Sequence, residues 1–194
     1  GESGSGKTTL ADLIAGINRP TEGFVTFAES TGLSNGGIYK PSIGYVSQNS
    51  SLFGNDIYEN IAFGKNPDSP DKPKIDQILE KLNLSFLSDS EFGIIRDPIR
   101  SDGTNLSGGE RQRVSIARVE YADPQLVIFD EPTSSLDAEN RSKVTDYIKG
   151  INHKKTVIIV THDLDLIELC DYVLEIANGR IQFFGTTLEF NSRN

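Results

Sequence analysis

Eight residues, GESGSGKT from Gly1 to Thr8, have the composition and spacing of a loop that wraps a chain of phosphates. Glycines at Gly1, Gly4 and Gly6 let the backbone turn its N–H groups toward an anion where side chains would block approach, with Glu2, Ser3 and Ser5 between them. Lys7 would reach the β and γ phosphates as a point charge, and the Thr8 hydroxyl would complete the coordination of a magnesium ion. Thr9 follows in the first turn of a helix whose partial positive end points at the same anion. The bland alternative is a flexible Gly/Ser linker before a helix. Further along, LVIFDE from Leu126 to Glu131 is an apolar strand ending in two acids, which is what phosphoryl transfer needs opposite such a loop. Asp130 would hold magnesium through water, and Glu131 would lie beside the γ phosphate to polarise an attacking water. Strand ends also carry acids simply because they meet solvent, so the pairing with the loop is what favours chemistry.

These groups need elements to position them. Leu10, Leu13, Ile14 and Ile17 fall on one helical face, and Gly16 and the stretch Asn18 to Pro20 stop that helix. Phe24 to Phe27 and Ile43 to Gln48 read as short strands separated by a Gly, Ser and Asn-rich turn, and this part is expected to be antiparallel and exposed. From about Ser51 to Ala122 the pattern becomes helical segments joined by polar loops, with Ile75, Ile78, Leu79 and Leu82 making a stripe that packs on the helix after Ser107. Leu126 to Phe129 and Thr156 to Val160 are solidly apolar and read as buried parallel strands. Between them Val144, Tyr147, Ile148 and Ile151 sit at helical spacing, which makes a strand, helix, strand unit. Tyr172 to Ala177 and Ile181 to Phe184 flank Asn178, Gly179 and Arg180, a turn signal for a closing hairpin.

Composition bounds the function. In 194 residues there are 19 Lys and Arg against 28 Asp and Glu, a formal charge of −9. Most of the surface therefore repels nucleic acid and anionic lipid, and a bound anion needs a local site. No run approaches the roughly 18 apolar residues of a membrane helix. The lone Cys170 has no internal disulfide partner and reads as a small buried side chain. His153 lies in a polar stretch and reads as exposed.

With LSGGE at Leu106 to Glu110 added, the sequence resembles the ATPase domain of ATP-binding cassette (ABC) transporters over essentially its whole length. The motifs stand in the family's order: GESGSGKT, Gln48 after a strand, LSGGERQR from Leu106 to Arg113, LVIFDE, SSLD from Ser134 to Asp137, and His162 after TVIIVT. The resemblance implies an α/β P-loop NTPase core: a mostly parallel sheet flanked by helices, a small antiparallel β part and a helical subdomain at about 51–122, all within one domain over 1–194. It implies ATP and Mg2+ as ligands and ATP hydrolysis coupled to movement of a substrate across a membrane. The partners implied are a second ABC ATPase domain, head to tail, and a transmembrane domain through which alone the chain meets the membrane, on its cytoplasmic face.

Ser107, Gly108, Gly109 and Glu110 form an S-x-x-E capping box, a second helix N-terminus able to seek phosphate. By resemblance, Ser107 and Gly109 contact the γ phosphate held by the opposite subunit. By the same resemblance Gln48 contacts magnesium or the attacking water, His162 contacts the γ phosphate and Asp137 helps position the partner. Each has a plain structural reading too: a capped helix, a solvated glutamine, a strand-end histidine and an N-cap. The family's strand before the phosphate loop, with its adenine-stacking aromatic, is expected upstream of Gly1. Leu52 to Gly64 looks like exporters, whereas Asp97 to Asn105 lacks the glycine pattern common among them. A non-hydrolysing regulatory module of the same fold is the alternative function. Relatives in chromosome maintenance and DNA repair are disfavoured because the stretch between Lys7 and Ser107 is short for a coiled-coil insert.

Overall fold

The computed structural model describes residues 1–2, 4–28, 40–48, 51–52, 56–66, 68–88, 106–134, 136–152 and 154–193. Its centre is a parallel sheet in the order β1 (Ile43–Val46), β2 (Leu126–Asp130), β3 (Thr156–Val160). Every side chain of β2 is buried, and period-two alternation sends them to opposite faces. Val127 and Phe129 join one apolar cluster and Leu126 and Ile128 the other, so helices must cover both sides.

On the Leu126 and Ile128 face lies α1 (Lys7–Ala15), through Ala11 and Ile14. It ends where Gly16 turns left-handed at φ 74° and its N–H bonds back to Asp12 and Leu13. Ile17 falls beyond that cap and is 61% exposed, so it leaves the expected stripe. The opposite face is covered by α4 (Gly108–Ala122) and α5 (Ala138–Asn152). Val144, Tyr147, Ile148 and Ile151 of α5 are all in that core. Helices α2 (Ile57–Ala62) and α3 (Lys72–Lys81) pack on α4, and Ile75, Ile78, Leu79 and Leu82 are buried there as expected. Arg118 ties α4 to α2 by donating to the Asn60 carbonyl at 3.0 Å and the Asn60 side chain at 2.9 Å, and burial pushes its pKa down to about 10.

One expectation fails. The Ile43–Val46 strand is neither antiparallel nor exposed: it runs parallel to β2, with Val46 fully buried. Gly44 explains the ambiguity, because its missing side chain breaks the apolar pattern while admitting α4. A Cβ there would lie 2.8 Å from Pro124 Cγ and 3.0 Å from Val119 Cγ1. Phe24 to Phe27 form no ladder among the described residues; Phe24 is 85% exposed, while Phe27 packs on the α1 side of the sheet. Antiparallel pairing occurs instead in the hairpin of β4 (Tyr172–Ala177) and β5 (Arg180–Thr186), whose turn residues Asn178 and Gly179 have φ of 51° and 70°. A short helix α6 (Leu164–Ile167) precedes the hairpin and α7 (Thr187–Asn191) follows it. Between β3 and β4 runs a largely apolar cavity of about 590 Å³, with Gly1 and Lys7 at its edge. Ser3, Ser135, His153 and the stretch Asp97 to Asn105 lie outside the described residues.

Candidate functional site

The phosphate loop is shaped by left-handed glycines, Gly4 at φ 77° and Gly6 at φ 104°. Nothing lies within 4 Å of where a Gly4 Cβ would stand, so the loop opens onto free space. Gly1 is required for a different reason: a Cβ there would sit 1.9 Å from the Ile176 carbonyl oxygen of β4. The Ser5 carbonyl accepts from the Gly179 amide at 3.1 Å, so the hairpin turn braces the loop from behind. Lys7 Nζ donates to the Gly1 and Glu2 carbonyls at 2.8 and 2.7 Å and closes the loop into a ring. At the N-cap of α1 Gly6 provides no side-chain acceptor, so the first-turn amides, Thr9 included, keep their donors for an anion. This glycine cradle with its ammonium fits a polyphosphate.

Thr8 Oγ1 donates to Asp130 Oδ1 at 3.3 Å. A magnesium ion with oxygen ligands at 2.0–2.1 Å sets neighbouring ligands about 3 Å apart, so a hydroxyl and a carboxylate at this spacing suit adjacent positions around it. Asp130 is 5% exposed, and its other oxygen, Oδ2, lies 3.3 Å from the Tyr45 hydroxyl. That hydroxyl is also 3.1 Å from Asp12 Oδ1. Burial, then the neighbouring Asp130 and Asp12, hold the phenol protonated well above its usual range.

Glu131 occupies left-handed backbone at φ 49° and donates its N–H to the Val160 carbonyl at 2.8 Å. That conformation is uncommon for a non-glycine residue and turns the side chain off the strand line. Its carboxylate meets His162, with Nδ1 3.0 Å from Oε2. The loops after β2 and β3 are tied again by Thr133 Oγ1 donating to Asp163 Oδ2 at 3.0 Å. Gln48 Nε2 reaches Ser134 Oγ at 3.5 Å, and Ser134 donates to the Glu131 carbonyl at 3.0 Å. The structure thus gathers Lys7, Thr8, Asp130, Glu131, Gln48 and His162 from the loop and three strand ends.

A second group gathers at the start of α4. Ser107 Oγ accepts from Glu110 N at 3.2 Å while Glu110 Oε2 accepts from Ser107 N at 2.7 Å, the reciprocal cap expected. Ser107 and Gly108 are exposed, whereas Gly109 is buried, its Cβ position 3.2 Å from Leu136 Cδ2. Asp137 caps α5, accepting from Asn140 N at 2.9 Å and Asn140 Nδ2 at 2.8 Å. Those two bonds, the backbone one first, hold its carboxyl below the usual range. Arg113 donates to the same Asn140 side chain, joining α4 to α5. No hydrogen bond or ion pair among the described residues links Ser107–Glu110 to the phosphate loop. Each end of the β2–α5 loop serves a different group: Ser134 holds Gln48, and Leu136 covers Gly109.

Residues 1–134 match the family profile described as ABC transporter. The chain belongs to the ABC transporter family. It is 38% identical over 195 residues to the sulfate/thiosulfate import ATP-binding protein CysA of Brucella melitensis, covering 96% of this chain and 52% of that protein. It is 33% identical over 197 residues to the ATP-dependent lipid A-core flippase of Ralstonia nicotianae, covering all of this chain and 33% of the flippase. The chain thus spans about half the length of the import protein and a third of the flippase. A solved structure of an ABC transporter of metal-chelate type, in an inward-facing conformation, superposes with a TM-score of 0.71 at 30% identity, covering 97% of this chain and 71% of that one. An import protein and a flippase both stand among these relatives, so the exporter-like look of Leu52 to Gly64 does not decide direction.

The ABC ATPase family couples ATP binding, generally with Mg2+, to transport. Its ATPase domains dimerise and work at the membrane through a transmembrane domain. No helix among the described residues of this ABC chain is long and apolar enough to cross a membrane. Sequence reading missed three groups in the site: Tyr45, Asp12 and Ser134. Only Asp12 left a signal, its i, i+4 spacing from Thr8 on one face of α1.

Proposed function

We propose that this chain is the ATP-binding and ATP-hydrolysing domain of an ABC transporter, working head to tail with a second such domain at the cytoplasmic face of a membrane. The observation that carries the reading is the Glu131–His162 pair at 3.0 Å, standing beside the Thr8–Asp130 pair at the mouth of the phosphate loop. In this reading Gly1 to Gly6 and Lys7 bind the triphosphate. Thr8 and Asp130 hold Mg2+, with Gln48 beside them. The ion, when bound, neutralises charge on the β and γ phosphate oxygens. Glu131 accepts a hydrogen bond from the attacking water and draws its proton, while His162 fixes the carboxylate. Ser107 to Glu110 and Asp137 serve the nucleotide of the partner domain, which agrees with the lack, among the described residues, of any bond from them to this chain's own phosphate loop. A non-hydrolysing clamp has no use for a carboxylate held in left-handed backbone against a histidine.

The test is Glu131→Gln in the full-length protein. The amide keeps shape and hydrogen bonding but cannot take the proton, so turnover should fall about 100-fold or more while ATP affinity is retained. Turnover equal to wild type in a phosphate-release assay overturns the assignment.

A further inference from the structure

We propose that Tyr45 is a positioning residue for the metal-binding carboxylate, its hydroxyl pinning one oxygen of Asp130 so that the other faces Thr8. The proposal rests on the nucleotide reading above and concerns a residue outside the motifs. Tyr45, Ile128 and Asp130 project from the same face of the sheet, since Tyr45 pairs in register with Ile128 and Asp130 follows two residues on. That face meets α1, where Thr8 and Asp12 lie one turn apart. Four side chains from three elements therefore converge: Thr8 on Asp130 Oδ1 at 3.3 Å, Tyr45 on Asp130 Oδ2 at 3.3 Å and on Asp12 Oδ1 at 3.1 Å.

The phenol has one proton and faces two carboxylate oxygens, so it donates to one at a time. Donated to Oδ2, the proton fixes the rotation of the Asp130 carboxylate and leaves Oδ1 toward the metal position. Asp12 competes for the same proton from the other side. Thr8 is free to turn its hydroxyl to an incoming cation without Asp130 losing its orientation, because Tyr45 still holds the far oxygen. Removing the hydroxyl frees that rotation and leaves two carboxylates facing each other with no donor between them. An outer-shell partner of a metal ligand is typically worth 10–100-fold in metal affinity.

The test uses the full-length protein, Mn2+ as probe, and the non-hydrolysable analogue AMP-PNP, with bound Mn2+ read by electron paramagnetic resonance. Tyr45→Phe should weaken Mn2+ binding in the ternary complex about 10-fold and leave metal-free AMP-PNP binding unchanged. A purely structural role for Tyr45 would lower both together or neither, and either result overturns the proposal. Asp12→Ala, which removes the competing acceptor together with the exposed bond that Asp12 Oδ2 accepts from Asn18 Nδ2 at 3.3 Å, provides a second reading that does not depend on Tyr45→Phe folding. Mn2+ held as tightly as in wild type, or tighter, supports the proposal, and a several-fold loss overturns it. Wild-type protein that binds AMP-PNP neither with nor without Mn2+ overturns the nucleotide reading and this inference with it. Normal wild-type binding with an unaffected Tyr45→Phe overturns this inference alone.

Discussion

Lys7 spends its ammonium on two carbonyls of its own loop, at 2.8 and 2.7 Å, and this shows why the loop can stand ready for an anion. The charge is parked within reach of the phosphate position, held by neutral acceptors that a phosphate oxygen outcompetes. Lys7→Ala should therefore weaken ATP affinity about 10-fold or more, since a hydrogen bond to a charged partner contributes about 1.5–3 kcal/mol. Unchanged affinity in a nucleotide titration would count against the loop as the binding site. At this scale the sequence was legible wherever function rests on short spacing. Gly1 to Thr8 and Asp130 with Glu131 are contiguous strings whose chemistry follows from residue type. Tyr45 was not legible, because its meaning lies in Asp12 and Asp130, which only the fold brings beside it. Ser134 escaped for the same reason: a serine between an acid and a helix cap carries no mark of the glutamine it receives.

Among elements, periodicity revealed what was buried far better than it revealed direction. The stripes of α3 and α5 and the solid run of β2 were legible because each is long enough for its period to repeat. In β1, four residues interrupted by a glycine carry no statement about which strand lies alongside or which way it runs. The hairpin of β4 and β5 was readable because both of its strands and its Asn-Gly turn are adjacent in the chain. Gly44 is where the misreading of β1 can be tested. Gly44→Ala should destabilise the domain by about 1–3 kcal/mol, the usual cost of overpacking, by forcing β1 away from Val119 and Pro124 of the α4 end. A denaturant midpoint equal to wild type would mean that α4 gives way more readily than its packing implies.

The whole molecule presents two poles, the phosphate loop with its strand-end carboxylates and the capped start of α4 with Asp137. The β2–α5 loop touches both, but no hydrogen bond or ion pair among the described residues joins the phosphate loop to the capped start of α4. Such a division suits a protein whose nucleotide is completed by a second domain. Full-length protein carrying Glu131→Gln should associate through its ATPase domains when given ATP and Mg2+, and separate when ATP is withheld. Sedimentation is the check, and ATP-independent behaviour would refute the head-to-tail arrangement. The overall α/β architecture was legible because its apolar strands alternate with amphipathic helices. The cavity between β3 and β4 was not, since a space between strands has no residues of its own.

The bond from the Gly179 amide to the Ser5 carbonyl has one further implication. It makes the shape of the phosphate loop depend on a hairpin turn far away in the sequence. A product cut short before Asn178 would keep every motif residue yet lose the backstop that curves its cradle. Grip on the nucleotide would then weaken although every residue that touches the phosphates is still present.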